Sequence, residues 1–363
     1  MGASRPRLDP AVFNLPVGRL RAGYYTDAYF NLAKETLERE GRHPRVLMQV
    51  FQKHESILGG IDEAIAVLRL GAGRAGRSSG DWEPGWDDLE VRALHEGDRI
   101  EPWETVLTIE GDYTLFAHLE TVYLGVLARR SLVMRHVAEV VAAAHDKQIL
   151  FFPARHDHWQ MQTGDGWSAH IAGAIGVSTD AQASWWGGTG VGTVPHALIA
   201  AYGGDTVAAA RAFATRFAER MNVTVLVDFE NDSERTAVAV ADELGPDLWG
   251  VRLDTSERIV DRGLERRGPD APPGVSPQLV ALVRGALDDA GHESVRIVVS
   301  GGFNAAKIAQ FERVGAAVDA YGVGSALLRG ENDFTADVVR VEGRPCAKVG
   351  REERQNPRLR RVD

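Results

Sequence analysis

Apolar positions in this chain fall into short continuous runs and into stretches of helical spacing, and their order differs between the first third and the remainder. Residues 1 to about 20 carry Pro6, Pro10 and Pro16 with little periodicity, which predicts an arm docked on the rest of the fold. Asp27 to Glu40 has helical spacing, Val46 to Phe51 reads as a strand, and Ile57 to Leu70 again reads as a helix. A polar loop containing Gly85 and the tryptophans Trp82 and Trp86 follows over 81–88. Val91 to Ala93 and Thr105 to Glu110, separated by Glu96-Gly97-Asp98, predict antiparallel strands. A long helical pattern from about Leu115 to Ala144 leads out of this first part.

From Ile149 onward, apolar runs alternate with helical stretches. Ile149 to Phe152, Val223 to Val227, Leu248 to Leu253, Arg296 to Ser300 and Asp319 to Val323 are expected as strands. Thr206 to Arg220, Ser233 to Leu244, Pro277 to Gly291 and Ala305 to Val314 are the helices between them. Such alternation predicts an α/β fold with a parallel sheet. Charged residues recur at the carboxyl ends of these strands, where barrel enzymes place their chemistry, so a closed barrel fits better than an open sheet. No Gly-x-Gly-x-x-Gly turn opens a helix after an early strand, no Walker A loop is present, and neither a short repeat nor a low-complexity segment interrupts the pattern.

Composition narrows the picture. With 363 residues, 44% of them hydrophobic, the chain can bury a large core and is expected to form two closely associated domains. No apolar run approaches the roughly 20 residues that span a bilayer, and the N-terminus has no signal-peptide core, so the cytoplasm is the expected location and no membrane partner is expected. Cys346 is the single cysteine, which excludes an intrachain disulfide and a multi-cysteine zinc site. The formal charge of −10 argues against a nucleic-acid partner. Locally, Arg351, Arg354, Arg358, Arg360 and Arg361 make the tail basic, expected as a solvated segment or a contact between subunits.

Several segments could carry chemistry. Gly190-Val191-Gly192-Thr193-Val194-Pro195-His196-Ala197 places a histidine on a glycine-punctuated turn, where its nitrogen could act as a nucleophile or proton carrier; a plain loop histidine before a helix is the competing reading. In the strand Leu248 to Leu253, Arg252 and the following Asp254 are two residues apart and share a face. They could grip a carboxylate or phosphate and a ribose, or simply pair with each other at the barrel rim. Val223 to Val227 runs into Asp228, Glu230 and Asp232, acids suited to ribose or metal-bound diphosphate; Asp232 is expected to cap the next helix. Ser300-Gly301-Gly302 and Tyr321-Gly322-Val323-Gly324-Ser325 follow consecutive late strands. Each exposes backbone N–H groups at a helix start, as a phosphate cradle does. Arg155 could hold a second anion. His156 and His158 flank Asp157 but are expected as surface or hydrogen-bonded histidines, and no residues are assigned to a metal held by the protein alone. Trp185 and Trp186 are expected to pack.

Taken in order, Tyr25-Thr26-Asp27-Ala28-Tyr29, Arg155, Ser178-Thr179-Asp180-Ala181, Gly192 to Ala197, Val251 to Thr255, Ser300 to Gly302 and Gly322 to Ser325 resemble the nicotinate phosphoribosyltransferases, over nearly the whole chain from about Gly23 to Lys348. The resemblance implies an irregular α/β barrel (residues 131–333) with an N-terminal α/β sandwich-like domain (1–130) completed by C-terminal residues 334–363, assembled as a homodimer or higher homo-oligomer. It implies phosphoribosyl transfer from phosphoribosyl pyrophosphate to nicotinate in NAD biosynthesis or salvage, with magnesium on the pyrophosphate. ATP would be a co-substrate that transiently phosphorylates His196. Arg252 would meet the pyridine carboxylate, Asp254 the ribose, and Tyr29 with Asp27 would reach the pyridine from a neighbouring subunit. Thr179, Asp180, Thr193 and Asp228 would line the substrate. Ser300, Gly301, Gly302, Gly322, Gly324 and Ser325 would hold the 5′-phosphate, and Arg155 phosphate or pyrophosphate.

One motif departs from the pattern. Ser178-Thr179-Asp180 stands where nicotinate-specific relatives commonly have Thr-Ser-Asn, and is closer to the Thr-Asp-Thr of nicotinamide phosphoribosyltransferases. An aspartate beside the ring would accept from a carboxamide and repel a carboxylate. Nicotinate stays the first expectation, with nicotinamide and quinolinate as alternative bases. A non-catalytic phosphoribosyl- or nucleotide-binding subunit is the rival of another class.

Overall fold

A computed structural model describes residues 5–76, 78 and 80–363. The chain divides into two compact units, Met1–Arg135 with Gly330–Asp363, and His136–Arg329.

The first unit contains α1 (Val17–Arg21), α2 (Ala28–Arg39), β1 (Arg45–Phe51), β2 (Ser56–Ile57), α3 (Ile61–Gly71), β3 (Gly73–Ala75), β4 (Trp82–Pro84), β5 (Glu90–Ala93), β6 (Arg99–Ile100), β7 (Thr105–Asp112) and most of α4 (Glu120–Ala143). Among the described residues its main sheet has the order β15-β14-β1-β7-β5-β16, with β14 (Thr335–Val341), β15 (Arg344–Pro345) and β16 (Arg360–Arg361) supplied by the C-terminal segment. Neighbouring strands run antiparallel, with Met48 opposite Ile109 and Val91 opposite the same residue. β1 is buried at every position but Arg45, as a central strand should be. It packs with Ile61, Ile65 and Leu68 of α3 in the core of this unit.

The expected helix from Ile57 starts only at Ile61. Gly60 before it adopts φ +80°, and Glu96 accepts the N–H groups of Gly60 and Ile61, which caps the helix from a distant loop. The helix expected from Leu115 starts at Glu120, after two 3₁₀ turns over 113–119. The N-terminal arm docks through Asp62, which binds the Arg7 guanidinium at 2.7 Å and the Leu8 N–H at 3.1 Å, while Phe13 and Leu20 are buried. The basic tail keeps Arg354, Arg358, Arg360 and Arg361 exposed, as expected of a solvated segment. It lies strapped along its own unit, with Arg358 2.8 Å from Glu104, Arg351 2.7 Å from Asp337, and Arg351 and Arg354 over the Trp103 ring, because acids and an aromatic face of the same chain await it.

The second unit contains β8 (Gln148–Phe151), α5 (Gln162–Ile171), β9 (Gly176–Val177), α6 (Asp180–Ala183), α7 (His196–Ala201), α8 (Thr206–Phe217), β10 (Val223–Leu226), α9 (Ser233–Leu244), β11 (Leu248–Leu253), α10 (Arg262–Glu265), α11 (Pro277–Asp289), β12 (Arg296–Val299), α12 (Ala305–Arg313) and β13 (Ala320–Val323). The sheet order is β10-β11-β12-β13-β8-β9, all parallel. One short segment then reaches both edges. Val191 donates its N–H to Val177 of β9 at 2.7 Å, and Val194 donates to Thr224 of β10 at 2.8 Å, so the curled sheet closes into an irregular barrel through this segment.

Helix starts follow the expected chemistry at Asp205, Ser276 and Asn304, whose side chains accept from the third residue on. Asp232 is the exception. It occupies the cap position of α9 but its carboxylate binds Arg266 with two bonds of 2.8 Å; the Ser233 N–H goes instead to Asp261. A guanidinium that satisfies both oxygens competes better than a single backbone N–H. Among the described residues, no helix is long and apolar enough to cross a membrane.

Candidate active site

The parallel strands of the second unit end together, and their carboxyl ends bring most of the residues singled out above to one rim. β11 is a buried apolar run whose alternation leaves Arg252 half-buried, and Asp254 follows the strand on the same face. Arg252 is the hub: its Nε donates to Ser300 Oγ at 2.7 Å, Nη1 to Thr193 Oγ1 at 3.3 Å and Nη2 to Asp254 Oδ2 at 3.3 Å. Ser300 Oγ in turn donates to Asp254 Oδ1 at 2.8 Å. The guanidinium also lies 5.3 Å from the centre of the Phe152 ring. Burial lowers the Arg252 pKa and the charge of Arg155 adds to that, while Asp254 and Asp228 oppose it. The internal Arg252–Asp254 pair is thus present, but as part of a network that also fixes Ser300 and Thr193.

His196 opens α7, directly after the closing segment. Its Nε2 stands 2.9 Å from Oδ1 of the buried Asp228 side chain, which follows β10. Its pKa is raised, first by this hydrogen bond and further by the charges of Asp228 and Asp254, against desolvation and Arg252. The half-exposed ring of Phe229 lies 6.3 Å from the imidazole.

Ser300, Gly301 and Gly302 join β12 to α12. Gly301 and Gly302 have φ of +92° and +68°, conformations that only glycine adopts without strain, and a Cβ on Gly301 would lie 3.3 Å from Asp254 Oδ1. The Ser300 side chain is committed to Arg252 and Asp254 and its N–H to the Leu253 carbonyl at 2.9 Å, so the free N–H groups of this turn are those of the glycines. The second glycine turn differs from expectation. Gly322 lies inside β13, where a Cβ would strike Phe152 at 2.9 Å and crowd Ser300 at 3.3 Å, so it makes packing room instead of a turn. Gly324 and Ser325 begin only a 3₁₀ turn, Ser325–Leu328.

Arg155 sits exposed in the 3₁₀ turn after β8, with no ion-pair partner among the described residues. Thr179 caps α6 through Gln182 N–H and donates its hydroxyl to Gln162 at 2.8 Å. Asp180 is exposed and accepts the Gly190 N–H at 2.8 Å, tying α6 to the closing segment. Asp27 and Tyr29 belong to the first unit. Asp27 occupies the N-cap position of α2 without making a capping bond; its carboxylate accepts from Thr121 Oγ1 at 2.9 Å instead, and Tyr29 is 62% exposed. His158 caps a 3₁₀ turn, Trp185 is buried, and Trp186 stacks on His170 at 4.3 Å. Among the described residues, no group of three or more His, Cys, Asp or Glu is arranged to hold a metal ion. Sequence reasoning missed Phe152 and Gln162; both lie beside motifs but carry no local signal, since only the curl of the sheet brings them to Arg252 and Thr179.

The chain is similar to known proteins throughout. Residues 27–131 match the family model described as quinolinate phosphoribosyl transferase, N-terminal domain. A nicotinate phosphoribosyltransferase of Mycobacterium tuberculosis is 30% identical over 268 residues, covering 71% of this chain and 55% of that protein. The nicotinate phosphoribosyltransferase of Bacillus subtilis is 23% identical over 239 residues, covering 65% of this chain and 45% of that protein. This chain spans about half the length of these curated relatives. The crystal structure of nicotinate-nucleotide pyrophosphorylase from Pyrococcus furiosus superposes with a TM-score of 0.78 at 33% identity, over 95% of this chain and 84% of that one. Human nicotinic acid phosphoribosyltransferase shares the fold, with a TM-score of 0.67 at 19% identity over 89% of this chain and 76% of that one.

Proposed function

The chain belongs to the type II phosphoribosyltransferase family, and on that premise we propose that it transfers the phosphoribosyl group of phosphoribosyl pyrophosphate to nicotinate, forming nicotinate mononucleotide and pyrophosphate in NAD biosynthesis. The observation that carries this reading is the Arg252–Ser300–Asp254–Thr193 network beside the His196–Asp228 pair, at the rim where the glycine turn also lies. In the transfer, the pyridine nitrogen forms a bond to the anomeric carbon while the bond from that carbon to pyrophosphate breaks, and its electron pair leaves with pyrophosphate. No proton has to move, because the pyridine nitrogen already has its lone pair. The protein's contribution is orientation and stabilisation of an oxocarbenium-like state. Arg252 offers a fixed cation to the pyridine carboxylate, Asp254 an acceptor and a negative charge to the ribose, and the Gly301–Gly302 turn its N–H groups to the 5′-phosphate. Gly324 and Ser325 flank the same phosphate, and Arg155 is available to pyrophosphate. Magnesium enters on the pyrophosphate, where it offsets the charge of the leaving group.

ATP is the proposed co-substrate. The Asp228 carboxylate can only accept, so in the neutral form of the His196 ring Nε2 carries the hydrogen and Nδ1 keeps the lone pair. Nδ1 would attack the γ-phosphorus of ATP, the bond from phosphorus to the bridging oxygen would break, and ADP would leave; hydrolysis of the N–P bond later returns the histidine. Tyr29, exposed on α2, and Asp27 are proposed to complete the pyridine site of a second copy in a homodimer or larger homo-oligomer. Nicotinate is preferred over nicotinamide because one Asp180 oxygen is already taken by the Gly190 N–H. Quinolinate is the second reading, favoured by unpaired Arg155, which could meet its further carboxylate.

The test is a product assay with phosphoribosyl pyrophosphate and magnesium, comparing nicotinate, nicotinamide and quinolinate, each with and without ATP. ATP-stimulated nicotinate mononucleotide is expected. Turnover of another base alone would reassign Arg252 or Asp180, and no turnover with any base would favour the binding subunit.

A further inference from the structure

Lys307 lies one helical turn beyond the glycine turn and takes no part in the network around Arg252. Its N–H donates to Asn304 Oδ1 at 2.9 Å, which fixes it in the first turn of α12. Its stem crosses the buried Phe303 ring, with Nζ 4.2 Å from the ring centre, and Nζ donates to the Gly301 carbonyl at 3.1 Å. Burial lowers the lysine pKa, with only Glu257 opposing at longer range, and no carboxylate pairs with it among the described residues. A half-buried ammonium held on a backbone carbonyl is an unusual use of a lysine, since one hydrogen bond replaces full hydration.

The peptide joining Gly301 to Gly302 is planar and trans, so its carbonyl and its N–H point in opposite directions. Holding the Gly301 oxygen on the Lys307 side therefore turns the Gly302 N–H to the other side. That N–H has no acceptor within the protein among the described residues. Both glycines have positive φ and could rotate this peptide at little cost, so something must choose its orientation. We propose that Lys307 is the positioning residue of the phosphate turn: by holding the Gly301 carbonyl it presents the Gly302 N–H to the 5′-phosphate of the phosphoribosyl substrate. This rests on the phosphoribosyl reading above.

The experiment uses the full chain with ribose 5-phosphate as probe, measured by calorimetry, together with steady-state kinetics for phosphoribosyl pyrophosphate. Lys307→Met and Lys307→Ala are both made, so that lost packing over Phe303 in one of them is not decisive, and Lys307→Arg serves as the rescue because a guanidinium can still donate to the carbonyl. The two neutral variants are expected to bind ribose 5-phosphate about tenfold more weakly, with a matching rise in KM for phosphoribosyl pyrophosphate. KM for nicotinate should be unchanged, and Lys307→Arg should recover most of the loss. Equal affinity in the wild type and both neutral variants overturns the role of Lys307 and leaves the phosphoribosyl reading standing. Failure of the wild type itself to bind ribose 5-phosphate overturns both.

Discussion

Nε2 of His196 and Oδ1 of Asp228 stand 2.9 Å apart, and this one bond sets both the tautomer and the charge of the imidazole. The charged form of histidine is favoured, which raises its pKa, so the neutral ring with a free Nδ1 accumulates only above that raised value. ATP-stimulated turnover is therefore predicted to climb with pH through the His196 pKa. Asp228→Asn removes the negative acceptor, so the climb should move to lower pH while the plateau falls by about tenfold or more through lost orientation. His196→Ala should abolish stimulation by ATP and keep weak basal transfer. A pH–rate profile of the ATP-stimulated component checks this, and an unmoved limb in Asp228→Asn would remove Asp228 from the role.

Arg252 is predicted to tolerate no cationic replacement. Its guanidinium serves Ser300, Thr193 and Asp254 from three different nitrogens in one plane, and an ammonium cannot reproduce that fork. Lys at this position should lower kcat/KM for nicotinate by about 100-fold, consistent with the loss of a fixed electrostatic contact in the transition state, with a melting temperature close to wild type. Retained kcat/KM would show that the network is scaffolding and that the base is read elsewhere.

These two sites differ in how far they could be read from the chain. Leu248 to Leu253 is a strand with the bounds its apolar run predicts, and Ser233 to Leu244 is a helix with the bounds its periodicity predicts, since local signals dominate both. Arg252 and Asp254 sharing a face follows from the period of two. That Ser300 would spend its hydroxyl between them does not, because 48 residues separate it from Arg252. The same limit explains Asp232, whose capping role went to Asp261, and the start of α3, which is set by Glu96 at a distance of 35 residues from Ile61. Gly322 was legible as a glycine needed near the site, but its purpose is set by a Phe152 ring that only the sheet curvature brings there.

Gly190 and Gly192 bracket one residue of the closing segment yet should respond oppositely to a methyl group. A Cβ on Gly190 would stand 2.8 Å from the Cα and carbonyl carbon of Thr179, backbone that cannot swing aside, whereas one on Gly192 meets nothing within 4 Å. Gly190→Ala is predicted to destabilise the protein by about 1–3 kcal/mol, the usual cost of overpacking, and to loosen the bond from the Gly190 N–H to Asp180. Gly192→Ala should stay within about 0.5 kcal/mol of wild type. Urea denaturation of the two variants checks the contrast, and equal stabilities would mean that the segment is not held against Thr179.

Glu120, the first residue of α4, gives the first unit a stability that depends on pH. Burial pushes its pKa up to about 8, and the charges of Asp337 and Asp27 push in the same direction. The folded state then holds this proton more tightly than the unfolded chain, whose value is near 4.5. Below that value both states are protonated and the contribution is fully present. As pH rises the unfolded chain gives up its proton first, and the contribution is lost progressively until the folded carboxyl also ionises around pH 8. Glu120→Gln keeps the shape and removes the titration. The variant is predicted to lose less stability than wild type between pH 5 and pH 8 and to be the more stable of the two at the upper end, while near pH 4.5 the two should be close. Denaturant titrations at several pH values read the difference in slope directly. Parallel slopes would show that Glu120 is ionised in the folded protein throughout this range, and that the two neighbouring aspartates do not reach it.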